Sequence, residues 1–186
     1  MADSPLWVFG YGSLMWDPGF AYAERRLARL DGFHRSFCLR SIHHRGTPEA
    51  PGLVLALDTA PDASCSGVAY AVAPAAVPDT LAYLRARELV SAAYLETRQP
   101  VTLDCGRAVA AVTFVVDRDH VQYCGALALE EQAAIIAAAR GGRGPNREYL
   151  WNTVAHLEEL GIADAELGWL ADRVRALTRP HRVTTS

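Results

Sequence analysis

Gly10-Tyr11-Gly12-Ser13, directly behind the apolar run Leu6 to Phe9, is the stretch of this chain best suited to hold a negative charge. A buried strand that breaks into alternate glycines leaves main-chain N–H groups uncovered and lets another group approach the backbone closely. Such a turn can cradle a carboxylate or a developing oxyanion. It reads equally well as a tight turn leaving a strand. It is no dinucleotide fingerprint, because the third glycine would fall at Met15 and Pro18 soon follows, so no helix opens on a phosphate. Gly141-Gly142-Arg143-Gly144-Pro145 lacks the Gly-Lys-Ser/Thr ending of a phosphate loop and reads as a helix stop and restart. In Arg85-Ala86-Arg87-Glu88-Leu89, Glu88 falls at the C-terminal end of an expected helix, where the dipole disfavours a carboxylate. Either it pairs with Arg85 on a solvated face, or it is a buried general base with its pKa raised by burial and the helix end. Tyr123, between the last strand and the helices, either orders a substrate through its hydroxyl or packs on the core.

Metal and thiol chemistry are not expected. His43 and His44 are adjacent, so in an extended segment they point to opposite faces, and no His-Glu-x-x-His occurs. Cys38, Cys65, Cys105 and Cys124 are scattered without a Cys-x-x-Cys pair. They read as small buried hydrophobes in a reducing, cytoplasmic compartment rather than as nucleophiles or a disulfide framework.

These residues need elements to position them, and the hydrophobic period changes partway along the chain. Leu6 to Phe9, Phe33 to Leu39, Leu53 to Leu57, Val68 to Val72, Val101 to Leu103 and Val109 to Val116 read as short strands. Pro51-Gly52, Pro61-Asp62 and Pro74 bound the middle ones. Pro78 to Leu89 carries Leu81, Leu84 and Leu89 at helix-like intervals, with Pro78 in the first turn. After His120 helices take over: Leu129 to Arg140, Pro145 to about Leu160 and Asp164 to Leu177. Strands first and helices last argue for α+β. With 186 residues, about half of them apolar, and no linker, one domain spanning 1–186 is expected. The formal charge of −3 gives no basic field for nucleic acid or an anionic membrane. No run approaches the roughly 20 apolar residues of a membrane span, and the N-terminus carries no secretion-signal pattern.

Several segments taken together resemble the γ-glutamylcyclotransferases of the ChaC family, in its bacterial branch. They are Val8-Phe9-Gly10-Tyr11-Gly12-Ser13-Leu14-Met15-Trp16, His44-Arg45-Gly46-Thr47-Pro48 with Pro51-Gly52, and Gly67-Val68-Ala69-Tyr70. Arg87-Glu88-Leu89 with Ala93-Tyr94, Gln122-Tyr123, and Gly144-Pro145-Asn146-Arg147-Glu148-Tyr149-Leu150 follow in the same order and at similar spacing. The resemblance implies a γ-glutamylcyclotransferase-like α+β fold: a small mixed β-barrel flanked by helices, with a helical C-terminal third. It implies a lyase that cleaves glutathione, a small-molecule substrate, to 5-oxoproline and cysteinylglycine with no metal or organic cofactor. By the same resemblance Val8, Phe9, Gly10, Tyr11, Gly12, Ser13 and Leu14 hold the γ-glutamyl group, Glu88 accepts the proton, and Arg45 and Tyr123 line or support the site. Two departures stand out. Ala92 occupies a position where the bacterial branch commonly has Gly, which stiffens the loop beside Glu88, and Pro145 stands where other members often carry a basic residue.

The chemistry suits these residues. The α-amine of a γ-glutamyl amide can attack its own γ-carbonyl and close a five-membered ring, so orientation supplies much of the rate. One carboxylate can take the proton from that amine and return it to the departing one. Other readings are a cyclotransferase for other γ-glutamyl amides, a non-catalytic regulatory protein on the same scaffold, and a cysteine hydrolase.

Overall fold

The computed structural model describes residues 4–125 and 127–180. By its internal contacts the chain forms two compact units. Of the described residues, the first holds those up to Leu39 together with Leu55–Gly125, and the second holds Arg40–Val54 together with those after Gly125.

Five strands dominate the first unit: β1 (Leu6–Gly10), β2 (Glu24–Ser41), β3 (Gly52–Val72), β4 (Tyr94–Leu103) and β5 (Ala108–Val116). They close into a barrel in the order β1-β3-β2-β4-β5. The barrel is mixed: β1 runs antiparallel to β3 from Leu6↔Val72 to Gly10↔Val68 and parallel to β5 at Trp7↔Ala111 and Val8↔Val112. All five residues of β1 are buried, which explains an apolar run without alternation. Alternate side chains still serve different cores, as the two-residue period of a strand requires. Trp7 and Phe9 join Leu30, Leu57, Ala69, Val101 and Leu103. Leu6 and Val8 join Val72, Val112, Phe114 and Leu84.

Leu84 belongs to α1 (Val77–Glu88), whose Val77, Leu81 and Leu84 recur at helical spacing and press on the second of these cores. Pro78 lies in its first turn, as expected. Two expected strands, 53–57 and 68–72, prove to be parts of one long β3, which runs through Pro61 where that residue is exposed. β2 likewise starts nine residues before the expected Phe33, in a stretch whose buried and exposed residues alternate.

The second unit contains α2 (Leu129–Ala138), the two-residue strands β6 (Arg140–Gly141) and β7 (Gly144–Pro145), α3 (Asn146–Glu159) and α4 (Ala165–Thr178). Leu167, Leu170, Ala171 and Val174 form the buried stripe of α4, which packs on α2 and α3. The Asp164 carboxylate caps α4 by accepting from the Leu167 N–H at 3.1 Å. Helix α2 ends two residues short of the expected Arg140. Its last carbonyls are followed by an extended Ala139, whose C=O accepts from Asn146 N–H, and the chain then pairs as β6 with β7. Pro145 precedes α3 rather than opening it, with ψ 139°. No helix among the described residues is long and apolar enough to cross a membrane.

Candidate active site

The chain leaves β1 at Gly10 and folds at once into a 3-10 turn, Ser13–Met15. A Cβ on Gly10 would stand 2.8 Å from the Leu14 Cβ, so only glycine lets the turn double back over the strand end. The turn is tied from beneath. Tyr11 donates its hydroxyl to the Phe114 carbonyl at 2.8 Å, and the buried Arg35 donates its Nε to the Tyr11 carbonyl at 2.7 Å and its Nη2 to the Ser66 carbonyl. The buried Tyr70 hydroxyl lies 2.8 Å and 2.9 Å from the carbonyls of Leu14 and Met15. Val8, Phe9 and Leu14 are buried in the two cores. What this segment can offer a ligand is therefore backbone and Ser13. The Ser13 and Leu14 amides open the 3-10 turn and have no acceptor within it. Ser13 is exposed, and a Cβ on Gly12 would meet nothing within 4 Å.

Glu88 is the last residue of α1 and is largely buried, with a fifth of its side chain exposed. The sequence left open a surface pair with Arg85. Arg85 instead makes a forked pair with Glu96 of β4, at 2.8 Å and 3.0 Å. Arg87 takes the place beside Glu88, with its Nε 3.4 Å from the Glu88 Oε1. Burial pushes the Glu88 carboxyl above its ordinary pKa, and the Arg87 charge opposes that shift without cancelling it. The other face of the same guanidinium reaches back to the turn. Its Nη2 donates to the Ser13 Oγ at 2.9 Å, and its Nη1 donates to the Asp17 carbonyl at 2.7 Å, with the Pro18 carbonyl and the Tyr83 hydroxyl at 3.3 Å and 3.1 Å. The geometry thus gathers Ser13, Asp17 and Glu88 around Arg87, which the sequence did not single out. The legible signal was that two arginines share the last turn of α1 and only one can flank Glu88.

Tyr123 pairs with Leu39 in an isolated antiparallel bridge. Its hydroxyl donates to the Asp58 Oδ2 at 2.7 Å, while Arg118 Nε donates to the Asp58 Oδ1 at 2.7 Å. Burial, together with that hydrogen bond, pushes the Tyr123 phenol up to about 12, so near neutrality it orients rather than exchanges a proton. Burial also drives the nearby Cys38 thiol up to about 12, which makes it a poor nucleophile. Asp58 is a second residue the sequence did not mark.

Arg45 belongs to the second unit, where it serves the backbone. Its Nη1 lies 3.1 Å from both the Arg143 and the Pro145 carbonyls, and its guanidinium stands over the Tyr149 ring. Burial, with Arg143 nearby, holds His44 below its ordinary pKa. Among the described residues no group of three or more His, Cys, Asp or Glu side chains is arranged to hold a metal ion.

Residues 6–177 match the family model for ChaC-like proteins. The chain is 38% identical over 175 residues to the glutathione-specific gamma-glutamylcyclotransferase of Escherichia coli (strain K12), covering 94% of this chain and 75% of that protein. It is 35% identical to gamma-glutamylcyclotransferase 2-3 of Arabidopsis thaliana, covering 91% of this chain and 88% of that one. Its fold is similar to the crystal structure of a γ-glutamyl cyclotransferase specific to glutathione from yeast. The TM-score is 0.83 at 26% identity, over 97% of this chain and 99% of that one.

Proposed function

The chain belongs to the family of ChaC-like proteins, and from that premise we propose that it is a γ-glutamylcyclotransferase releasing 5-oxoproline and cysteinylglycine from glutathione. The observation that carries a mechanism is Glu88: a largely buried carboxyl, raised in pKa, at the end of a helix whose neighbouring arginine grips the Ser13 turn. Ordinary glutamate, at about 4.3, is too weak a base to deprotonate an amine well. Raising it narrows the gap to the substrate's ammonium group, and general-base efficiency follows.

In the proposed reaction the Ser13 and Leu14 amides and the Ser13 hydroxyl hold the γ-glutamyl portion folded. Glu88 takes a proton from the α-ammonium, and the freed amine attacks the γ-carbonyl. The negative charge that develops on the carbonyl oxygen is met by the donors of the turn. Glu88 then returns the proton to the departing cysteinyl nitrogen as the C–N bond breaks, and takes the second proton of the ring nitrogen, which passes to the freed amine as 5-oxoproline forms. The nucleophile comes from the substrate itself, so the protein's share is orientation and one proton-carrying carboxylate. Tyr123, fixed by Asp58, keeps its oxygen lone pairs to accept from an N–H of the substrate. A reducing cytoplasm suits both this substrate and a chain whose four cysteines are all thiols.

Glu88→Gln tests the mechanism in a 5-oxoproline release assay with glutathione. Loss of about a hundredfold or more in kcat is expected, in the range of general acid–base contributions. Activity within a few-fold of wild type, with a native circular dichroism spectrum, would remove Glu88 from the reaction. Comparing glutathione with γ-glutamyl-alanine measures how far the site reads the cysteinylglycine portion.

A further inference from the structure

We infer that Arg87 is a positioning residue: one guanidinium fastens the Ser13–Pro18 segment to α1 and stands as the counter-charge of the Glu88 carboxylate, so that the turn and the base are held as one unit. The inference rests on the proposed function and adds to it a residue whose part is geometric.

The hydrogen-bond pattern carries it. Arg87 spends Nη1 on the Asp17 carbonyl and Nη2 on the Ser13 hydroxyl oxygen, leaving Nε toward Glu88. The planar fork of arginine allows this, because its donors diverge at fixed angles where a lysine offers one point charge. Accepting from a guanidinium also fixes what Ser13 can do. With a lone pair of Oγ engaged by a cation, the hydroxyl proton is left to donate, and it is made a better donor by the charge behind it. A carboxylate or a developing oxyanion is the partner that such a donor selects. Tyr83, one turn earlier on α1, completes the seat. Its hydroxyl lies 3.1 Å from Arg87 Nη1 and beneath Gly19, where a Cβ would stand 2.0 Å from it.

The electrostatic half follows from what else faces Glu88. On α1 itself Arg85 is turned away into its pair with Glu96 of β4. From the segment after β1, Asp17 contributes its carbonyl to Arg87. The helix face that packs on β1 and β5 meets Val8, Val112 and Phe114, which are apolar. Arg87 is therefore the charged group that acts on Glu88 against burial.

Two substitutions separate the functions. Arg87→Lys keeps the charge and loses the fork; Arg87→Gln loses both. For Arg87→Gln, removing a positive charge beside a carboxylate favours its neutral form. The Glu88 titration, followed by carbon NMR of labelled glutamate with Glu88→Gln as the assignment control, moves to higher pH by about half a unit or more. The acidic limb of kcat/KM for glutathione moves with it. Arg87→Lys leaves the titration near wild type but raises KM about five- to tenfold, through loss of a charged hydrogen bond. Ser13→Ala raises KM without moving the titration, and Ser13→Ala with Arg87→Lys together cost less than the sum of the single effects, because both break the contact between Nη2 and the Ser13 Oγ. A wild-type Glu88 titration in Arg87→Gln, or fully additive KM effects in the double variant, overturns the inference. The NMR titration needs no turnover, so a wild type inactive on glutathione would sink the proposed function while leaving this test standing.

Discussion

Asn146 offers a sharp test of how the second unit is held together. The residue is wholly buried at the first position of α3. Its Oδ1 accepts from the Leu53 N–H at 2.8 Å, and its Nδ2 donates to the Leu53 carbonyl at 2.8 Å. The amide thus satisfies both main-chain groups of a fully buried residue, as a neighbouring antiparallel strand would. Asn146→Leu keeps the branched shape, with methyl groups in place of the amide oxygen and nitrogen, and strands both Leu53 groups. Each orphaned buried group costs about 1–3 kcal/mol, so the pair costs about 2–6 kcal/mol, with about 4 kcal/mol as the centre. That is a large share of the roughly 5–15 kcal/mol that keeps a domain folded. Asn146→Ala should lose at least as much, since a cavity is added to the same two orphans. Urea denaturation followed by circular dichroism reads the difference, with unchanged m-values showing that stability alone has moved. A loss below about 1 kcal/mol for Asn146→Leu would refute the reasoning, because it would mean that Leu53 finds other partners at no cost.

Ala92 is the one non-glycine with positive φ among the described residues, at 56°, and it is exposed. Ala92→Gly relieves a left-handed alanine at the cost of a freer unfolded chain, for a net gain of about 1 kcal/mol and a Tm rise of about 2–4 °C in a thermal melt; an unchanged or lower Tm would refute it. Glu88→Gln should be more stable than wild type at pH 8, because a carboxyl with a raised folded pKa opposes folding once ionised. The gap should close as pH falls toward the unfolded value of about 4.3, where both side chains are neutral, and a gap independent of pH would contradict the raised pKa.

The sequence made the elements legible where local chemistry and tertiary packing agree. α1 follows the helical spacing of Leu81 and Leu84 and its early proline, and α4 starts directly behind Asp164, which caps it. It misled where pairing overrides local signals. Pro61 looks like a strand end, yet β3 continues past it, because a missing N–H at an exposed position breaks little. The helical composition of residues 139–140 gives way because Asn146 N–H takes the Ala139 carbonyl and the amides of Gly142 and Arg143 bond to His43 and His44 carbonyls. No window of local sequence contains those partners. At the site, Glu88 stood out by its misplaced charge at a helix C-terminus. Arg87, Arg35 and Asp58 did not, because what distinguishes them is the identity of distant acceptors: Ser13 and Asp17 for one, Tyr11 for another, and a donor, Tyr123, for the third.

The segments that carried the family resemblance divide by what they hold. Arg45 and Asn146 bond to main chain within the second unit. Tyr11 and Tyr70, joined by Arg35 from outside those segments, bond to main chain beneath or beside the turn after β1. These side chains are engaged by main chain. An intramolecular cyclisation asks for an economy of reactive groups, since its nucleophile arrives with the substrate and the barrier falls mainly through orientation. A turn that drifted by an ångström would cost about a hundredfold in rate. The density of side-chain-to-carbonyl ties around Gly10–Met15, with Arg87 joining them to Glu88, is how this sequence keeps a short glycine-bearing turn from drifting.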